Sequence, residues 1–221
     1  MATLEWDKTG EHWFEIGVDH GVLYPVKNGK YQKGVAWNGL TAVTEQPEGA
    51  EPNDQYADNI KYITLRSMET FGATIEAFTY PDEFRACDGS AVPIKGVSFG
   101  QQPREKFGFC YRTNKGNDVQ GQDAGYILHL LYGCTVSPSE KAYATINDSP
   151  EAITFSWELD SDPVPVTGHK PTSVVTIDST IVDPAKLKKL EDYIYGTEGE
   201  MDVNKPKFPL PDEIVDIMEA A

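Results

Sequence analysis

The sequence is poor in the residues that most secreted proteins and most enzymes are built on. It holds only 3 cysteines in 221 residues, Cys87, Cys110 and Cys134. An odd number at wide spacing is neither a disulfide framework nor a metal-ligand pattern, so free, buried thiols in a reducing cytosol are expected. Positive charge is scarce as well: 19 Lys and Arg stand against 35 Asp and Glu, a net charge of −16. That balance excludes nucleic-acid binding by phosphate neutralisation, which needs a basic surface. Long hydrophobic runs are missing. The longest, residues 126–134, contains His129 and is too short to cross a bilayer. Residues 1–10 are charged and carry no apolar h-region, so no signal peptide is expected. There is no P-loop, no Gly-x-Ser-x-Gly and no His-Glu-x-x-His, and there are no internal repeats or low-complexity tracts.

What the chain does have is strand periodicity. Hydrophobic residues at 39%, aromatic residues at 11% and a mean hydropathy of −0.44 fit a folded chain with a sizeable core. Residues 152–159 alternate without a fault. Ile153, Phe155, Trp157 and Leu159 point one way, and Thr154, Ser156 and Glu158 the other. Side chains change face at every strand residue, so this is a half-buried strand, opened by the turn chemistry of Asn147-Asp148-Ser149-Pro150. Residues 106–112 alternate too, with Phe107, Phe109 and Tyr111 on one face; in 125–135, Tyr126, Leu128, Leu130 and Tyr132 share a face. Phe107, Phe109, Leu128, Leu130, Phe155 and Trp157 are the expected core, and these strands are expected around a single one.

Further strands are predicted over 12–18, 22–26, 34–44, 60–65, 69–80, 143–146 and 172–178. Turns are predicted at Asp19-His20-Gly21 and at Lys27-Asn28-Gly29-Lys30, where Asn-Gly is a strong hairpin signal. Residues 113–125 read as a polar, glycine-rich loop. Pro81 and the acids after it open a short helix, and Gly89 ends it. A better helix has Asp183 as cap, Pro184 at its start, Leu187, Leu190 and Ile194 at near-helical spacing, and Gly196 at its end. It covers an exposed sheet face. Residues 199–211 read as a linker, and Pro211-Asp212-Glu213 opens a short amphipathic helix. The whole is a mainly β fold, an antiparallel β-sandwich or barrel with one packed helix and a short C-terminal helix. It divides into a β domain, 1–196, and an acidic C-terminal tail, 197–221.

Candidate chemistry is thin. The loop Asn117-Asp118-Val119-Gln120-Gly121-Gln122-Asp123 fails the EF-hand pattern for want of acids and of a bidentate Glu, and reads as a hairpin loop. Asp19-His20 reads as a turn with local hydrogen bonds, because no nucleophile stands in a fixed relation to it. His129, in an apolar strand, reads as a satisfied buried histidine. No catalytic, cofactor-binding or metal-binding residues are expected. One segment stands out. Residues 45–59 carry Glu45, Glu48, Glu51, Asp54 and Asp58 with Pro47 and Pro52, show no periodicity, and read as a long irregular loop, a feature that is functional or disordered in compact domains.

The stretch Asn147-Asp148-Ser149-Pro150-Glu151-Ala152-Ile153-Thr154-Phe155-Ser156-Trp157-Glu158 resembles the core signature of the phage major tail proteins, the tail tube proteins of long flexible-tailed bacteriophages. Other segments match that family in order: Gly17-Val18-Asp19-His20-Gly21-Val22-Leu23-Tyr24-Pro25, Gly34-Val35-Ala36-Trp37-Asn38-Gly39-Leu40-Thr41 and Tyr56-Ala57-Asp58-Asn59-Ile60-Lys61-Tyr62. So do Phe71-Gly72-Ala73-Thr74-Ile75-Glu76-Ala77, Thr79-Tyr80-Pro81-Asp82-Glu83-Phe84, Gly168-His169-Lys170-Pro171 and Ile177-Asp178-Ser179-Thr180. The resemblance runs to about Gly196.

The resemblance implies a non-enzymatic virion subunit, made in the host cytoplasm. Such subunits form hexameric rings that stack into a hollow tube, growing from a tail tip around a tape-measure protein with a tail assembly chaperone. It also implies that the segment carrying Glu45, Glu48, Glu51, Asp54 and Asp58 contacts the adjacent ring. An acidic lumen would repel DNA phosphates, so the genome slides through without specific binding. Longer relatives carry an immunoglobulin-like domain after the tube domain; here only a short acidic tail follows Gly196. The alternative reading is a β-sandwich binding module, such as a virion decoration or adhesin domain.

Overall fold

The computed structural model describes residues 3–49, 51–146, 148–149, 151–198 and 205–219. The turn residues Asn147 and Pro150, and positions 199–204 of the expected linker, lie outside them. The described chain is mainly β and antiparallel. In its main sheet the neighbours run from Lys30–Tyr31 through Phe14–Lys27, Phe107–Asn117, Gly121–Val136, Phe155–Ser161 and Glu69–Ala77 to Leu40–Gly49, with Val174–Asp178 added on Gly121–Val136 and Val35–Trp37 on Phe14–Lys27.

The first strand, β1 (Phe14–Lys27), is a single 14-residue strand. The turn expected at Asp19-His20-Gly21 is instead a bulge within it. Pairing with β10 (Phe107–Asn117) slips between Ile16 and Asp19 and again between Asp19 and Val22. Gly17 at φ 72° and His20 at φ 51° absorb the extra residues. The Asn28-Gly29 hairpin is as expected: both residues have positive φ, and Lys27 pairs with Lys30 of β2 (Lys30–Tyr31).

The strand predicted over 34–44 is two strands. β3 (Val35–Trp37) pairs with β1, and β4 (Leu40–Gly49) pairs with β7 (Glu69–Ala77). Asn38 and Gly39 (φ 81°) make the corner between them. This corner closes the sheet. Leu40 packs over Gly21, where an added Cβ would lie 2.5 Å from Leu40 Cδ1. The apolar character of both faces, legible in the sequence, belongs to this corner.

Between β4 and β7 stands a separate hairpin of β5 (Pro52–Ala57) and β6 (Ile60–Arg66). After β7 comes the short helix α1 (Phe84–Cys87), then a second small hairpin, β8 (Ala91–Ile94) with β9 (Val97–Phe99). The loop predicted over 113–125 is mostly strand. β10 runs on to Asn117, and β11 (Gly121–Val136) starts four residues later, with Asn114 opposite Tyr126 and Lys115 opposite Gly125. Asn117 Oδ1 accepts from Val119 N and Gln120 N at 3.1 and 2.6 Å, so the turn between them is the expected hairpin loop. No strand forms at 143–146; Tyr143 and Ile146 are exposed there without a pairing partner. The remaining strands are β12 (Phe155–Ser161) and β13 (Val174–Asp178).

Two cores result where one was expected. Directly opposed residues of an antiparallel pair share a face. Phe109 faces Leu131 and Cys110 faces Leu130, so the large side chains of β10 and the Leu128–Leu130 pair of β11 go to opposite sides. Inside the curled sheet lie Leu23, Trp37, Ile75, Phe107, Phe109 and Trp157, with Phe84 of α1 driven in among them. Phe155 is half-buried beside Trp157. On the outer face, Tyr24, Leu128, Leu130 and Tyr132 lie under α2 (Pro184–Tyr195).

That helix forms as read from the sequence. Asp183 Oδ1 accepts from Ala185 N at 2.8 Å, and Leu187, Leu190 and Ile194 are its buried stripe. The last helix, α3 (Pro211–Glu219), also forms, and its Ile214 joins Phe208 in the same outer core. Tyr24 and Tyr132, both fully buried, donate to the carbonyls of Ile194 and Pro209 at 2.6 and 3.0 Å, tying sheet to helices. All three cysteines are free and buried.

Candidate assembly surface

The segment read as an irregular loop is the β5–β6 hairpin, joined to the rim of the sheet by the last residues of β4. The reading is corrected by two residues. Asp58 and Asn59 take positive φ, 53° and 62°, as a two-residue hairpin turn requires, and both tolerate it. The signal was present as Asp-Asn between Ala57 and Ile60, but it is weaker than Asn-Gly and was hidden by the prolines.

The five acids of this segment have different surroundings. Glu45, at the root, is half-buried and accepts from Tyr111 Oη at 2.8 Å. His129 stacks flat on Tyr111 (4.5 Å between ring centres, 4° between planes), with its Nδ1 3.5 Å from Glu45 Oε1 and its Nε2 3.0 Å from Thr113 Oγ1. The nearby His129 ring, helped by the hydrogen bond from Tyr111 and opposed by burial, holds the Glu45 carboxyl below the usual carboxylate range. The satisfied buried histidine expected at His129 is corrected: the residue is half-buried, and only Nε2 is hydrogen-bonded, while Nδ1 is without a hydrogen-bond partner. Asp54 is bound within the hairpin, to Lys61 Nζ at 2.8 Å and Thr64 Oγ1 at 2.7 Å. Glu48, Glu51 and Asp58 are exposed.

What sequence reading missed is the apolar load of the arm. Tyr56, Ile60, Tyr62, Ile63, Leu65 and Met68 are all exposed, Tyr62 at 73% and Met68 at 79%. The β8–β9 hairpin likewise exposes Val92, Ile94, Val97 and Phe99. Elsewhere the polar clusters serve the fold. Arg112 grips both oxygens of Asp19, at 2.8 and 3.0 Å, and Lys115 pairs with Asp178. Among the described residues no group of three His, Cys, Asp or Glu is placed to hold a metal, and no helix is long and apolar enough to cross a membrane.

Fold and surface together define a curled antiparallel β protein with two projecting hairpins and a helical cover. No protein-family model matches the chain, and no curated protein sequence does. Among solved structures, it is similar to a chain in the cryo-EM structure of the anti-feeding prophage (AFP) baseplate, 6-fold symmetrised. The two share 7% identity at a TM-score of 0.36, over 79% of this chain and 97% of that one. A likeness at that score assigns no residue a role.

Proposed function

We propose that the chain is a structural subunit of a phage virion, the tail tube protein, whose hexameric rings stack into the conduit for DNA. The observation that carries this reading is the β5–β6 arm. A two-stranded hairpin is marginal in water by itself, and this one turns five large apolar side chains outward within ten residues, 56–65, with Met68 exposed just beyond it. A neighbouring subunit that covers them accounts for both facts. The ordered series of segments resembling tail tube proteins supplies the identity of that neighbour: another copy of the chain. Its partners are then the tape-measure protein, the tail tip and the tail assembly chaperone. Its net charge of −16 keeps DNA phosphates from adhering to the channel. A role of this kind needs no catalytic group and no cofactor, and its place is the virion tail.

The test is electron microscopy and sedimentation of the purified chain over a range of concentrations. Rings or tubes are expected, and a chain lacking residues 52–66 should stay folded without forming them. Uniform monomers under all conditions would overturn the reading in favour of a decoration or adhesin module. Because Glu48, Glu51 and Asp58 are exposed, assembly should also weaken as salt rises.

A further inference from the structure

The register of the arm gives it two unlike faces. Directly opposed residues share a face, and Leu65, Ile63 and Ile60 stand opposite Asn53, Gln55 and Ala57. Arg66, Thr64 and Lys61 stand opposite Pro52, Asp54 and Tyr56 on the other side. The pairing slips once, and Tyr62 is the extra residue of the bulge. The second face is polar and closed on itself, since Asp54 holds both Lys61 Nζ and Thr64 Oγ1. The first carries three aliphatic side chains, Ile60, Ile63 and Leu65, and all three are exposed.

The β8–β9 hairpin carries a surface of the same kind. Ile94 stands opposite Val97, and Phe99, two residues on in the same strand, shares their face. These three are exposed as well. Residues 91–99 contain no acid, and their one charge is Lys95, exposed at the turn. The two hairpins leave opposite ends of one strand. β6 leads into the start of β7 at Glu69, and β8 follows its end at Ala77 by way of α1. Nine residues of strand set those ends about 30 Å apart. Phe84 anchors α1 in the inner core, and Gln102 N and Glu105 N donate to Gly89 O and Ala86 O at 3.0 and 3.2 Å, fixing the base of the second hairpin there. Both apolar faces remain exposed, so neither covers the other within one subunit.

A second arm is a poorer cover for the arm. Two arms laid together would gather Glu48, Glu51 and Asp58 from each copy, all exposed, in a molecule whose net charge is already −16. The acid-free β8–β9 hairpin brings Lys95 instead.

We infer that the apolar face of the arm, Ile60, Ile63 and Leu65, docks on the Ile94, Val97 and Phe99 face of the β8–β9 hairpin of a second copy. The inference rests on the reading that the arm joins subunits, and adds the face it uses and the surface that receives it. Unlike patches at opposite ends of one strand make a head-to-tail joint, which propagates along a stack without closing on a pair. Three side chains on three fall well short of the roughly 800 Å² per partner of a stable pair, so one joint is weak and holds when several are made at once.

Cysteine cross-linking on the full chain tests it, since the three native thiols are buried. One set of variants places a thiol on the apolar face of the arm (Ile60→Cys, Ile63→Cys or Leu65→Cys). Another places it on the second hairpin (Ile94→Cys or Val97→Cys). Arg66→Cys, on the polar face of the arm, is the control. All these positions are exposed, and unfolding curves close to the parent's establish that the variants are folded. Each arm variant is mixed with each hairpin variant under assembling conditions and oxidised with diamide, which takes up the two thiol hydrogens as the disulfide forms. Non-reducing gels should show arm-to-hairpin dimers from at least one pair. Their yield should be roughly tenfold or more that of the Arg66→Cys mixtures, because docking holds the two thiols at a high effective concentration. Mixed disulfides no more abundant than in the control, or arm-to-arm disulfides in greater yield, overturn the inference. Tubes without mixed disulfides would leave the tail tube reading standing and remove this joint from it. Mixed disulfides in linear chains, without rings or tubes, would do the reverse.

Discussion

Trp37→Phe and Trp157→Phe remove the same atoms from the same core, yet the two changes should differ in cost. Trp37 is 2% exposed and Trp157 fully buried, and their rings meet edge to face at 5.5 Å. Either change removes part of an indole from a closed aromatic cluster that also holds Phe84, Phe109 and Tyr80. Full truncation of such a side chain to alanine costs about 3–5 kcal/mol, so the volume lost on going to phenylalanine costs roughly 1–2 kcal/mol at either site. The polar terms have opposite signs. Trp37 Nε1 donates to Thr79 O at 2.8 Å. Its loss costs about 1 kcal/mol and leaves a carbonyl short of a partner. Trp157 Nε1 is buried without a hydrogen-bond partner, so removing it returns about 1–3 kcal/mol of desolvation penalty. Trp157→Phe should therefore be near neutral, and Trp37→Phe should cost about 2–3 kcal/mol. Urea unfolding at 25 °C, followed by far-UV circular dichroism, measures both. The variants are compared one at a time, since touching residues do not contribute additively. Equal losses, or a larger loss at Trp157, would refute the assignment of these two indole N–H groups.

Three further outcomes are expected. Glu45 has its carboxyl pKa depressed in the folded state, so its stabilising contribution is complete above the unfolded carboxylate range and is lost as pH falls through the lowered folded value. Melting temperature scanned from pH 7 to 3 should show a shallower acid limb for Glu45→Gln than for the parent; coincident limbs would contradict this. Burial pushes the Cys87 and Cys110 thiols up to about 12 and raises Cys134 as well. A thiol reagent should find no reactive cysteine in the native chain and 3 in urea. Asp183→Ala removes the cap of α2 and should cost about 1 kcal/mol, a fall of roughly 2–4 °C in melting temperature; no shift would mean that the helix end is held by its outer-core contacts alone.

Local chemistry alone determined several elements of this protein. The Asn28-Gly29 hairpin, the capped helix after Asp183 and the alternating strands around Phe107 and Trp157 follow from turn geometry, capping and period-two burial, which act within a few residues. Tertiary structure decided what depends on partners distant in the sequence. Strand alternation says that Phe109 and Cys110 point to opposite sides, but only the register that sets them against Leu131 and Leu130 divides the apolar residues between two cores. A glycine can mark a turn, a bulge or a corner. Pairing with β10 made Gly17 part of a bulge, and closure between β1 and β7 made Gly39 a corner. The acidic segment after Glu45 lacks apolar periodicity because its hairpin has no core of its own to face, so its strands left no burial pattern to read. Lys30 and Lys207, which line one cleft together with Tyr31 and Phe208, lie more than 170 residues apart in the chain. They gather only because the segment before α3 is drawn back over the first hairpin, where Phe208 packs against Tyr24 and Tyr31.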